Sequence, residues 1–89
     1  MKDLRTLIVD VFYETLEENG GVLKEELHDG SILLDTGLSS LGFAIMVAKL
    51  EDSLNYDPFV LSEESNYPAT FGDFLGAYRK FEHLRTENA

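Results

Sequence analysis

The sequence predicts an all-α protein: a small four-helix bundle of three main helices and one short one, with a long loop between the first and second helices. Three observations predict it. Apolar residues recur at i, i+3 and i+4 in three separate stretches, the signature of amphipathic helices. No run alternates apolar and polar residues with the period of a strand. Glycine and proline fall between the stretches rather than within most of their length. A chain of 89 residues with a 44% hydrophobic fraction has room for one core and not for a second. The expected organisation is a single domain over 1–89, with an ordered core over 3–81 and a polar, fraying tail over 82–89.

The first helix is expected over 3–19, where Leu4, Leu7, Ile8, Val11, Phe12, Thr15 and Leu16 fall on one stripe. Asp3 stands where a carboxylate accepts from the unpaired amides of a first turn. Asn19-Gly20-Gly21 ends the helix, because glycine reaches the left-handed conformation of a helix terminus without strain. From 20 to 38 the pattern is broken by Gly20, Gly21, Gly30 and Gly37. The stretch still carries Val22, Leu23, Leu27, Ile32, Leu33 and Leu34, which reads as a long loop pinned by its own buried side chains. Loops of that length inside small domains often serve a function.

Ser39 or Ser40 caps the second helix, which runs to about residue 55 with Phe43, Met46, Val47, Leu50 and Leu54 inward. Tyr56-Asp57-Pro58 stops it, since the residue before a proline is pushed away from the helical region. Ser62-Glu63-Glu64-Ser65 is expected to make the short helical turn. Thr70-Phe71-Gly72-Asp73 reads as a capping box with Asp in the usual place of Glu. The helix that follows turns Phe71, Phe74, Leu75, Tyr78 and Phe81 inward.

Charge narrows the functional classes. Seven Lys+Arg against 17 Asp+Glu leave a net charge of −10, so no basic face exists for nucleic-acid phosphates, and an acidic membrane surface repels the chain. Six Phe and four Tyr argue against a disordered acidic tail. Zero Cys removes disulfides, thiolate metal sites and a cysteine nucleophile. No metal site is expected: His28 and His83 lack ligand-like spacing, and Asp29-Gly30-Ser31 lacks the pattern of a calcium loop. No nucleophile–base arrangement or phosphate-binding glycine loop is visible, so the chain does not read as an enzyme. With no signal-peptide-like run, the expectation is a cytoplasmic monomer.

Taken bare, Ser39-Ser40 before an apolar run is a helix cap. The wider stretch, Leu34-Asp35-Thr36-Gly37-Leu38-Ser39-Ser40-Leu41-Gly42-Phe43 followed by Leu50-Glu51-Asp52 and Tyr56-Asp57-Pro58-Phe59, resembles the acyl and peptidyl carrier proteins. Their modification site reads roughly Asp-x-Gly-x-Asp-Ser-Leu at the start of a second helix. Asp35, Gly37 and Leu41 match that pattern, and the family's modified serine falls on Ser40. The family's preceding Asp is Ser39 here, a change that keeps a capping oxygen and removes one charge.

The resemblance implies a carrier rather than an enzyme. Ser40 would hold 4'-phosphopantetheine, transferred covalently from coenzyme A, and the arm would carry an acyl or aminoacyl group as a thioester. Implied partners are a phosphopantetheinyl transferase, an acyl- or aminoacyl-loading ligase, and an acyl-accepting transferase or synthase. On the second helix Leu41, Ala44, Ile45 and Ala48 are expected to face outward as an apolar docking patch, where Lys49 is the lone charge between Thr36 and Leu50. The acids lie elsewhere, which points to a specialised lipid or secondary-metabolite pathway rather than housekeeping fatty-acid synthesis. Two readings from other classes stand beside the carrier. One is an unmodified helical adaptor using the same patch to bind a protein; the other is an acidic inhibitor that mimics nucleic acid.

Overall fold

The structure, a computed structural model, describes residues 2–62 and 67–86. Helix α1 spans Leu4–Glu18. The Asp3 carboxylate starts it, accepting the Thr6 N–H at 3.0 Å and the Thr6 hydroxyl at 2.8 Å. Asn19 closes it by donating backbone N–H and side-chain amide to the Thr15 carbonyl. Leu4, Ile8, Val11, Phe12, Thr15 and Leu16 are buried along the expected stripe, while Leu7 is only half-buried.

Helix α2 spans Ser40–Leu54 and ends at Asn55, which takes the left-handed conformation at φ 65°. Gly42, Met46, Leu50 and Leu54 are its fully buried residues. Phe43 and Val47, expected to point inward, are only half-buried and pack at the edge of the core.

The short helix is α3, Pro58–Leu61, and it lies earlier than the Ser62–Ser65 turn the sequence suggested. Asp57-Pro58 ends α2 and also begins α3. The Asp57 carboxylate accepts the Phe59 N–H at 2.8 Å, and proline sits at the first helical position, where its missing N–H has no intrahelical role. Ser62 already lies beyond α3, its N–H donating to the Pro58 carbonyl, and positions 63–65 fall outside the described residues.

Helix α4, Phe71–Lys80, opens on the expected capping box: the Asp73 N–H donates to the Thr70 hydroxyl at 3.0 Å and the Thr70 N–H to the Asp73 carboxylate at 3.3 Å. Arg79 and Lys80 in its last turn complement the helix dipole. Phe71, Phe74, Leu75 and Tyr78 are buried, with Phe81 half-buried just past the end.

The long connection is pinned, but by fewer side chains than expected. Leu33 and Leu38 are buried and Leu23 and Leu27 pack partly on the core, whereas Val22, Ile32 and Leu34 are exposed. Backbone contacts supply the rest. Gly37, at φ +112°, passes so close to the Val22 carbonyl that a Cβ there would lie 2.1 Å from that oxygen. Farther along, the Leu33 N–H donates to the Ala69 carbonyl at 3.0 Å. In return, the Phe71 and Gly72 N–H groups donate to the Ser31 and Asp29 carbonyls, each at 2.8 Å. The loop thereby satisfies the unpaired amides that begin α4.

Of the expected polar tail, residues 82–86 make hydrogen bonds to the rest of the domain, and 87–89 lie outside the described residues. A 3-10 turn, Glu82–Leu84, leads to Thr86, whose N–H donates to the Leu54 carbonyl at 3.0 Å, while the Arg85 guanidinium donates to the Lys2 carbonyl at 2.6 Å. These bonds run to main-chain carbonyls, which leave no mark in a side-chain pattern. Across the outside, Lys49 of α2 reaches both Glu14 and Glu18 of α1, contacts that contribute little in water.

The Tyr56 hydroxyl donates to the Tyr78 carbonyl at 2.7 Å, while the buried Tyr78 hydroxyl has no hydrogen-bond partner among the described residues. Burial pushes both phenols above their ordinary value of 10.0. The folded state therefore keeps protons that the unfolded chain would release, so their contribution is intact below pH 10 and is lost as pH rises beyond it. Circular dichroism against pH should show alkaline unfolding. Tyr78→Phe should move that transition to higher pH while leaving stability near pH 7 within about 0.5 kcal/mol, because no hydrogen bond is lost.

Candidate functional site

The site begins at the turn before α2. The Thr36 hydroxyl donates to the Leu33 carbonyl at 2.6 Å and accepts the Leu38 N–H at 3.4 Å, and buried Leu38 anchors the chain to the core. Ser39 follows in an extended conformation, φ −78° and ψ 167°. Its hydroxyl accepts the Gly42 N–H at 3.0 Å and its carbonyl accepts the Phe43 N–H at 2.8 Å. Ser39 is thus the cap. Ser40 is the first residue of the helix, exposed, and among the described residues nothing engages its hydroxyl. The sequence left open which serine caps α2; the geometry divides the two tasks.

A phosphate on Ser40 would meet the positive end of the α2 dipole and the amides of Ser40 and Leu41, which the first turn leaves without intrahelical partners. No acidic side chain lies in that turn. Phosphopantetheine therefore fits the donors present.

Ser40 also stands at the lip of a half-open hollow of about 540 Å³. One wall is the start of α2, with Phe43, Ala44 and Val47; a separate 3-10 turn in the long connection, Leu33–Asp35, contributes Leu33 and Leu34. Phe59 of α3 together with Tyr67 and Pro68 completes it. None of these lining residues carries a charge. The half-exposure of Phe43 and Val47 has its reason here, since the hollow is what they face. A second hollow of about 580 Å³ runs along α4 past Asp73 and Lys80; it is more polar and includes none of the residues expected to act.

The four residues expected on the outer face of α2 differ in exposure. Leu41 is 66% exposed, Ala44 and Ala48 are exposed, and Ile45 is half-buried without packing on the core. Exposed Leu34 and Tyr67 extend the apolar surface around the mouth of the hollow. Lys49 is occupied by Glu18 and Glu14, whose hydrogen bonds raise its pKa.

Sequence reasoning did not find the hollow. The signal for the short helix that carries Phe59 was present in Asp57-Pro58, a capping carboxylate followed by proline at the first helical position. Leu34 and Tyr67 had no such signal, because they reach the site only through the path of their loops. Among the described residues no group of three or more His, Cys, Asp or Glu side chains is placed to hold a metal, and no helix is long and apolar enough to cross a membrane.

Fold and site together define a small all-α bundle with a free serine at a helix N-terminus beside an apolar hollow. The chain matches no known protein-family model, no curated protein and no solved structure.

The division between the serines has a measurable consequence. In urea denaturation, Ser39→Ala should cost about 1 kcal/mol through loss of the cap, whereas Ser40→Ala should change stability by less than about 0.5 kcal/mol.

Proposed function

We propose that the protein is a cytoplasmic acyl carrier, modified on Ser40 with 4'-phosphopantetheine from coenzyme A, that passes a thioester-bound acyl or aminoacyl group between separate enzymes. One observation carries the reading: an exposed serine hydroxyl, not needed for capping, sits at a helix N-terminus on the lip of an apolar hollow. Attachment forms a bond from the Ser40 oxygen to phosphorus, releases adenosine 3',5'-bisphosphate and frees the serine proton. The arm supplies the thiol that a chain with zero Cys lacks.

The protein's own residues hold and present. Ser39 fixes the first turn so that Ser40 stays outward, and the free amides of that turn stabilise the phosphodiester. Leu41, Ala44, Ile45 and Ala48 offer partners an apolar face. The implied partners are the phosphopantetheinyl transferase, a loading ligase and an accepting transferase or synthase. Tethering then raises the effective concentration of cargo at whichever enzyme has docked. The near absence of charge on the outer face of α2 favours a specialised pathway. The same face would serve an unmodified adaptor, which is the reading the test must separate.

Intact mass after co-expression with a promiscuous transferase decides between them. The carrier should gain one phosphopantetheine, with Ser40→Ala abolishing the gain and Ser39→Ala retaining it; an unchanged wild-type mass supports the adaptor. If α2 is the docking face, Ile45→Glu should leave the circular dichroism spectrum intact and lower the rate of cargo loading by about tenfold or more, as for a residue central to an interface.

A further inference from the structure

Resting on the carrier reading, we infer that the hollow beside Ser40 takes an aromatic acyl group in preference to a straight alkanoyl chain or an aminoacyl group, and that Phe43 sets this preference. Three aromatic rings, Phe43, Phe59 and Tyr67, line the hollow among aliphatic side chains. The Phe43 ring centroid lies 6.3 Å from that of Phe59 at 52° and 6.5 Å from that of Tyr67 at 79°. Behind it, buried Phe74 lies 5.6 Å away at 69°. Every pair falls within the range of tilted and edge-on contacts that aromatic rings favour. Phe43 and Phe59 are half-buried, so ring surface remains open to the hollow. A further ring entering there continues the same tilted packing.

Size and chemistry select in the same direction. An apolar cavity of about 150 Å³ holds a benzene ring, and the hollow offers about 540 Å³. A straight alkanoyl chain must freeze several torsions to be buried, whereas a ring arrives rigid and loses less conformational entropy. An aminoacyl group would bring an ammonium into a lining that holds no carboxylate, leaving the charge unpaired. Ser40, on the lip, places the arm at the opening. A tether far longer than the serine side chain lets the cargo fold back.

The test compares phenylacetyl and octanoyl arms of equal carbon number, with an alanyl arm as the polar control, each placed on Ser40 by a promiscuous transferase from the matching coenzyme A thioester. Protection of the thioester from hydrolysis and the melting temperature are read for each. The phenylacetyl form should hydrolyse about two- to tenfold more slowly than the octanoyl form, the range expected of aromatic pairing, with the alanyl form unprotected. Phe43→Leu should reduce that ratio, and Val47→Phe, which fills the hollow, should abolish protection while Ser40 still accepts the arm. Equal or better protection of the octanoyl form overturns the aromatic preference and leaves the carrier intact. Failure of Ser40 to take any arm overturns the carrier instead. The hollow is then read directly with free phenylacetamide and octanamide by nuclear magnetic resonance. Shifts of the Phe43 and Phe59 ring signals no larger with the former overturn the preference as well.

Discussion

The exchange of backbone hydrogen bonds between the long connection and the start of α4 is the constraint on which the rest depends. Residues 29–33 give carbonyls to the Phe71 and Gly72 amides and take the Ala69 carbonyl in return. One set of contacts thus caps a helix and fixes a loop. It also places Leu33 in the core and Leu34 outside it, beside the N-terminal half of α2. Without that registration the hollow would lack a wall, and Ser40 would open onto solvent on every side. Gly72 shows how close the approach is, since a Cβ there would lie 2.9 Å from the Asp29 carbonyl oxygen.

Around this junction the two adjacent serines have different work. A hydroxyl that caps a helix is held by the amide it accepts from, and Ser39 is so held. The Ser40 hydroxyl, one residue on, is exposed and takes no part in the cap. A serine at the capping position starts the helix without adding negative charge there. The neighbouring surface is likewise low in charge: the acids of α1 lie beside Lys49 and neutralise it, and Leu41, Ala44 and Ala48 are exposed.

The aromatic side chains divide between holding the bundle and lining the site. Phe12, Phe71, Phe74 and Tyr78 are fully enclosed and join α1 to α4, with Phe12 and Phe71 at 6.3 Å. Phe43 and Phe59 touch that core through Phe74 and turn their remaining surface to the hollow. Rigid neighbours on one side and open space on the other hold a ring in place without filling the cavity, so the hollow persists in a domain this small.

Much was legible along the chain because it depends on neighbours in sequence. The stripes of α1 and α4, the caps at Asp3 and Thr70 and the glycine-marked end of α1 all follow from helical period and local hydrogen bonding, as does the choice of Ser39 or Ser40 as the cap of α2. Ser40 was singled out by its place in a motif. The hollow was not legible, nor the hydrogen bonding of residues 82–86, or the exposure of Val22, Ile32 and Leu34. Those rest on bonds between distant main-chain groups and on where a loop crosses a helix. Backbone amides and carbonyls are the same in every residue but proline, so their long-range pairing leaves no pattern in the order of side chains. The sequence alone determined where the three main helices form and that a pair of serines stands at the head of α2. Only the tertiary structure decided that an apolar hollow opens beside it, because a cavity is the space between elements and belongs to none of them.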